Sequence, residues 1–544
     1  MRIGLFHGYE LSGSGSNEYT RYLARALAKA GHEVLVLCRE PRPETIGGAR
    51  EAARWGADGS CEVLFRRDGV DGGFAIHCLP EAEVRPVYVT DKQRSGNVKA
   101  FVELSDAELE QYRRVGVAAV SAILRAHPVD VLHANHVVLQ PTIAAEACGA
   151  LGIPFIIYPH GSAIEYTVRR QDRYRALAGD AIAKASGLII GSREVQGRLL
   201  DLYERLRPRI LERTEIVGVG VDTALFSPRP RKGRAESIRR LQAESPGGGK
   251  PPELRADLAR RVRGGEIDAV RAYRDAYPHD RPDADASEHL GRIPWETGKI
   301  LLFVGALTVG KGLQGLIAAM PEILRRVPDA HLVIIGSGAY REVLEAFVDA
   351  IAAGDASIVD QLAAHGNDFE ETHLEGPWPD VQSHLADERG RAVLLGAGAG
   401  FADHVHFMGR FGHELLWHIF PCADVAVFPS VIPEAYPLVL MESLSNGVMP
   451  AASNFSGFAE GMDHLVAHLG EARVASMRLP VEPSGRVQGM AERLAKLLVD
   501  TASADLTEKL REIAVTEYDW AIRAAAMVRA YERFASASTA VTPA

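Results

Sequence analysis

Ile300-Leu-Leu-Phe-Val-Gly-Ala-Leu-Thr-Val-Gly-Lys-Gly312 reads as five apolar residues of a strand buried on both faces, ending in a glycine-rich turn. A helix-period segment follows, and the same grammar has already run once from the N-terminus. In the first half the runs predicted as strands are Arg2–His7, Glu33–Cys38, Asp130–His133, Pro154–Tyr158 and Gly187–Gly191. In the second half they are Ile300–Val304, His331–Ile335, His404–Phe407, Asp424–Phe428 and Val448–Ala452. Strands that alternate with helices build parallel sheets with crossover connections. The fold class predicted is therefore α/β, with two Rossmann-like doubly wound domains facing across a cleft. Such sheets bind ligands at the carboxyl ends of their strands.

The 544 residues exceed one domain of roughly 150 several-fold. With 47% hydrophobic and 24% charged residues, the chain has the composition of a folded protein. Its net charge of −10 opposes a phosphate backbone and argues against nucleic acid as a partner. Cys38, Cys61, Cys78, Cys148 and Cys422 are odd in number and scattered, with no Cys-x-x-Cys pair, which argues against a disulfide framework or a zinc knuckle. The apolar run at the start is broken by His7 and Glu10, unlike a signal peptide. No run approaches the roughly 18 apolar residues of a membrane span. The expectation is a cytoplasmic protein without a transmembrane segment.

Two stretches depart from the alternation. Arg229 to Arg274 carries 13 Lys/Arg and 6 Asp/Glu, a net +7, and Glu342 to Asp403 carries 13 Asp/Glu and 2 Arg, a net −11. Both read as helical insertions in or next to the second domain. The first reading is two solvated helical insertions, since charge runs usually just face water; the sharper alternative is that the two stretches face one another, because opposite fields on two insertions would attract. The organisation predicted is an N-terminal domain over 1–228, a basic linker or insertion over 229–296, a second domain over 297–518 with an acidic insertion at about 342–403, and a terminal helix and tail over 519–544.

Phe428-Pro-Ser-Val-Ile-Pro-Glu-Ala-Tyr-Pro-Leu-Val-Leu-Met-Glu-Ser443 carries two carboxylates, Glu434 and Glu442, eight positions apart. Were the intervening chain helical, both would lie near one face. Carboxylates accept hydrogen bonds from paired hydroxyls, as on sugar and ribose rings. A helix N-terminus near Tyr436, Pro437 and Leu438 favours an anion such as a diphosphate. This segment resembles the signature of the retaining GT-B glycosyltransferases of family 4, the glycosyl transferases group 1. The resemblance implies that Glu434 binds donor-sugar hydroxyls and Glu442 the nucleotide ribose.

Further motifs resemble the same family in order along the chain. Gly13-Ser-Gly-Ser-Asn-Glu-Tyr19 is similar to its opening glycine-rich loop, where Gly13 and Gly15 let backbone N–H groups approach phosphate or acceptor. Asp130-Val-Leu-His-Ala-Asn-His136 resembles a motif whose last histidine, here His136, lies by the reacting sugar. His133 and His136 are three residues apart, but no third metal ligand is evident. Ile216 to Pro228 resembles the segment that closes the first domain. The turn Gly305 to Gly312 resembles the donor-phosphate loop, with Lys311 on the leaving diphosphate and Gly305 at its start. Val405 to Arg410 is similar to a loop near the nucleotide base, and Arg410 is its candidate contact. Ser456-Gly-Phe-Ala-Glu460 matches a motif whose first glycine is here a serine. Tyr518 to Glu532 resembles a terminal helix that crosses back to the first domain.

One departure bears on activity. The family places arginine after the first glycine of the phosphate loop, and this chain has Ala306. A cation from elsewhere, the basic insertion being one source, is expected to compensate. The resemblance implies a hexosyltransferase that uses a nucleotide-diphosphate sugar such as a UDP-sugar. No metal or other cofactor is expected. Asp91 to Lys99, a basic loop, points to an anionic or lipid-linked acceptor and a peripheral membrane location; a homo-oligomer stays open. A non-catalytic nucleotide-sugar-binding protein and a nucleotide-sugar epimerase of the same fold remain as alternatives.

Overall fold

The apolar runs of the first half become strands of one sheet because their residues are buried on both faces. A computed structural model describes residues 1–70, 72–88, 97–370, 374–435, 437–500 and 503–539. The strands of the first half are β1 (Arg2–Phe6), β2 (Glu33–Cys38), β3 (Ala49–Trp55), β4 (Cys61–Arg66), β5 (Phe74–Cys78), β6 (Arg85–Val87), β7 (Val98–Ala100), β8 (Val131–Asn135), β9 (Phe155–Tyr158), β10 (Gly187–Ile190) and β11 (Thr214–Ile216). Nine of them form a sheet in the order β11-β10-β9-β8-β1-β2-β5-β3-β4, while β6 and β7 pair separately. All neighbours in the large sheet are parallel except β3 and β4. Register sets Leu5 against Val36 on one side and His133 on the other.

Strands β3, β4 and β5 were not among the runs predicted. Ala-Arg-Glu-Ala-Ala-Arg-Trp in β3 is rich in helix-favouring residues, and its place between β5 and β4 makes it a strand.

The second half supplies β12 (Lys299–Val304), β13 (Ala330–Ile335), β14 (Val405–Phe407), β15 (Val425–Phe428), β16 (Met449–Ser453) and β17 (Arg478–Leu479). They form a parallel six-stranded sheet in the order β14-β13-β12-β15-β16-β17. The order runs outward in both directions from β12 and β15, so the carboxyl ends of these two strands mark the switch point where a doubly wound sheet opens to ligand.

The chain forms two compact units, Met1–Asp222 with Ala435–Leu438 and Thr516–Ala544, and Thr223–Glu434 with Val439–Val515. The terminal helix Trp520–Thr539 thus returns to the first unit. There Tyr531 Oη lies 2.8 Å from His133 Nδ1, and the Trp520 ring stacks on Tyr22.

Within the second unit the basic and acidic stretches fold as helices against one another. Helices Pro252–Arg263 and Ala269–Tyr273 pack on Arg341–Ala353. Lys250, fully buried, sets its Nζ 2.9 Å from Glu342 Oε1 and also bonds Glu345. Arg341 grips Asp283 with both terminal nitrogens, at 2.6 and 2.5 Å. Arg255 bridges Asp283 and Asp285 at 3.0 and 3.1 Å. Burial pushes the Glu345 carboxyl up, but the charges of Lys250, Arg341 and Arg255 outweigh it and hold the group down at about 2. The sharper alternative, that the two stretches face each other, holds over the reading of two solvated insertions, and most of the contact is buried, where ion pairs are screened least.

Candidate functional site

The β12 strand delivers its chain into the turn Gly305–Gly312, and β15 delivers Pro429 and Ser430 beside it. Lys311 closes a short 3-10 turn, Val309–Lys311. Gly312 follows with φ +71, and any Cβ there would lie 1.9 Å from the Pro429 carbonyl oxygen, so only glycine lets these two backbones touch. Val431 N–H donates to Gly310 O at 2.8 Å, locking the two loops in register. This places Lys311 Nζ 2.5 Å from Glu434 Oε1, and Ser430 Oγ donates to the same oxygen at 3.0 Å. Both side chains keep access to solvent, at 28% and 19%. An anion arriving at Lys311 competes with Glu434 for it.

The backbone of Glu434 is held from behind. Its carbonyl accepts from Gly457 N–H at 2.9 Å and from Ser456 Oγ at 2.7 Å. Ser456 adopts φ +59, a conformation that favours glycine, which accounts for the residue type expected in that motif. The eight-residue spacing does not place the two glutamates on one helical face, as helical geometry alone would predict. Helix Leu438–Ser445 starts only after Glu434, which sits in an irregular loop, while Glu442 lies on the helix and is buried. His413 Nε2 meets Glu442 Oε1 at 2.6 Å. Glu442 Oε2 has no hydrogen-bond partner among the described residues. A buried carboxylate oxygen without a partner is costly unless a donor reaches it. A hydroxyl is a suitable donor.

Pro437 and Leu438 stand at the start of that helix as expected; Tyr436 lies outside the described residues, as does most of the Asp91–Lys99 loop. Arg410 N–H donates to Arg281 O at 3.2 Å. The Asp280 carboxyl is held below the usual range, first by Arg281 and also by the Arg410 charge. The compensating cation expected from the basic stretch is not supplied by Lys250, which Glu342 and Glu345 hold, or by Arg255, which Asp283 and Asp285 hold. Arg231 and Arg234 both pair with Asp424. Ala306 itself is exposed.

In the first unit the carboxyl ends of β1, β8 and β9 bring together His7, His136 and His160. The His136 ring centroid lies 5.4 Å from His7, 4.6 Å from Tyr88 and 4.7 Å from His160. Neither of its ring nitrogens has a partner among the described residues. His7 Nε2 and Asn17 Oδ1 are 2.8 Å apart, as are His160 Nε2 and Asn135 Oδ1. Burial holds His7 down at about 4, and His136 and His160 well below the ordinary histidine value. These rings are neutral at pH 7 and offer hydrogen bonds without charge. Gly13 has φ +106 and donates its N–H to Glu18 Oε1 at 3.3 Å. Gly15 opens the helix Gly15–Lys29, capped by Ser14, and faces open space.

Sequence reasoning missed His413, Ser430 and the Ser456–Gly457 pair as participants. Ser430 stands in the Pro-Ser lead of the glutamate segment, but its role depends on a loop contact. His413 carries no local signal: its partner is 29 residues away.

Two family models match this chain. A glycosyl transferase 4-like domain covers residues 14–211, and glycosyl transferases group 1 covers residues 288–359 and 386–515. The phosphatidyl-myo-inositol mannosyltransferase of Mycobacterium tuberculosis is 26% identical over 247 residues, 45% of this chain and 50% of that protein. The chain thus spans about half the length of the curated relatives it matches. Among solved structures, sucrose-phosphate synthase from Thermosynechococcus elongatus has a TM-score of 0.55 at 17% identity, covering 99% of this chain and 100% of that one. Anabaena HepE in complex with UDP also has a TM-score of 0.55, at 14% identity, covering 98% of this chain and 100% of that one. At these identities the likeness is one of fold.

Proposed function

The chain belongs to the glycosyl transferases group 1 family, and on that premise we propose that it transfers a hexosyl group from a nucleotide-diphosphate sugar to an acceptor hydroxyl, with retention at the anomeric carbon. The observation that carries this reading is the Lys311–Glu434 pair at the switch point of the second sheet, with the half-satisfied Glu442 carboxylate on the next helix. Lys311 would leave Glu434 for the donor diphosphate, where positive charge stabilises the leaving group as its bond to the sugar breaks. Glu434, released, would accept from sugar hydroxyls, and Glu442 Oε2 from the ribose.

On this reading the acceptor oxygen bonds the anomeric carbon on the face from which the diphosphate departs, and the departing diphosphate takes the acceptor proton. No separate base or metal is then required. His136, which the family resemblance sets by the reacting sugar, has a neutral ring that would not compete for that proton. The HepE structure holds UDP, which makes a UDP-sugar the first donor to try. The mannosyltransferase relatives carry phosphatidyl-myo-inositol in their name, which supports an anionic or lipid-linked acceptor; a cytoplasmic location peripheral to a membrane is part of the same proposal. No helix among the described residues is long and apolar enough to cross one.

Thermal-shift screening of UDP, GDP, ADP and their sugars tests this directly. One nucleotide should raise the melting temperature of the wild-type chain, and Glu434→Ala and Glu442→Ala should reduce that shift. If no nucleotide moves it, the reading fails. Nuclear magnetic resonance of the product should show the donor's anomeric configuration; inversion would overturn the retaining step.

A further inference from the structure

The group 1 family model stops at residue 359 and resumes at residue 386. The segment between belongs to the acidic stretch, and an insertion that merely meets water would keep its carboxylates exposed. Two of them are instead buried and turned inward. Glu370, 9% exposed, accepts from Val309 N–H through Oε2 at 3.2 Å. Val309 is the first residue of the turn that carries Lys311, which Gly312 N–H closes by donating to Val309 O at 3.0 Å. Asp380, 4% exposed, sets Oδ2 3.8 Å from Arg486 Nε. Arg486 in turn donates to Pro429 O at 2.6 Å and Ser430 O at 3.2 Å, the backbone that leads to Glu434.

The segment is firmly seated. Trp378 is fully buried and its Nε1–H donates to Tyr340 Oη at 2.5 Å, while Tyr340 donates to Gly366 O at 2.8 Å. Tyr340 N–H also donates to Leu307 O, inside the Lys311 loop, at 3.1 Å. Asn367 Nδ2 reaches Pro377 O at 2.7 Å, closing the segment on itself.

We infer that residues 360–370 and 374–385 form a brace for the Lys311–Glu434 pair, in which Glu370 is the positioning residue of the Lys311 turn and Asp380 acts on the Glu434 loop through Arg486. A lysine on a four-carbon stem meets a diphosphate repeatably only if its backbone is fixed. Glu370 fixes it with a hydrogen bond to a charged acceptor, among the stronger kinds. This inference rests on the transferase reading for its purpose but not for its geometry.

The test uses the full chain and two readouts. Glu370→Ala should raise amide exchange across residues 305–312 by about ten- to a hundredfold, the loss expected for a hydrogen bond to a charged group. Exchange in β13 should be unchanged. It should also weaken binding of UDP, or of whichever diphosphate the wild type binds, by about tenfold, raising donor KM more than it lowers kcat. Glu370→Gln should restore part of both, because its carboxamide oxygen still accepts but carries no charge. Val309→Pro removes the donor from the other side and leaves the insertion intact. Thr308 is already extended, at ψ 156, as a residue before proline must be. The proline variant should match Glu370→Ala, and it serves as the test if the alanine variant does not fold. Unchanged exchange across 305–312 in either variant would overturn the brace, as would Glu370→Gln behaving like alanine. If the wild type binds no nucleoside diphosphate, the transferase reading falls while the exchange arm still decides the brace.

Discussion

A single charge separates the Gly305–Gly312 turn from a richer phosphate site. Lys311 is the only cation in its sequence, and position 306, where a second would stand, holds an exposed alanine. A side chain added there meets solvent rather than core, so Ala306→Arg should fold normally. Because one lost transition-state contact commonly costs a factor of 10² to 10³, restoring one should raise kcat/KM for the donor by about ten- to a hundredfold. Nucleoside diphosphate release measured on both proteins decides it: a faster variant means that no other cation fully replaces the missing charge, an unchanged value that one already does, and a loss of activity that the site is built around alanine. Glu442 shows how a residue can be legible while its setting is not. Its spacing from Glu434 is printed in the chain, but the His413 ring on one oxygen and the unpartnered second oxygen emerge only when two loops meet on one helix.

At the scale of elements, the charged stretches turn from solvated runs into an interface. Lys250 lies in a glycine-rich segment and would be expected at the surface, yet it is fully buried between Glu342 and Glu345. Tyr277 Oη also donates to Glu342 Oε1 at 2.6 Å. Replacing Lys250 with methionine keeps much of the volume but leaves two buried carboxylates short of their cation. Breaking such a pair from one side typically costs about 3–5 kcal/mol. Chemical denaturation of Lys250→Met should show a loss of that size, and an unchanged midpoint would mean that the pair is not buried in solution. Reversing Arg255 to glutamate sets like charges against Asp283 and Asp285 and should also destabilise. Helix content is readable from composition here. Which helix meets which is not, because that choice is made by packing and charge between distant segments.

Across the whole molecule, buried neutral histidines set the response to acid. His7 and His133 in the first unit are wholly buried and held down at about 4 and about 3, and His406 in the second at about 3, each chiefly by burial. The unfolded chain takes up these protons near 6.5, so it binds more protons than the folded chain at any pH between there and the folded values. Stability is therefore complete above about 6.5 and is lost as pH falls toward 4, at up to about 1.4 kcal/mol per pH unit for each such group. Urea midpoints measured from pH 7.5 to 4.5 should fall steadily below 6.5; a flat profile would mean that these rings are charged or solvated in the native state. The parallel α/β character of both sheets, ten of their strands and the positions of Lys311, Glu434 and Glu442 in the chain were determined by the sequence alone, because apolar runs, glycine turns and short motifs act over a few residues. The β3–β5 strands, the Lys311–Glu434 pairing across 123 positions, the seat of Glu370 on Val309 and the burial of Lys250 were decided only by the tertiary structure. Hydrogen bonds and ion pairs are satisfied by whatever partner the packed chain brings near, and no local period records which partner that is.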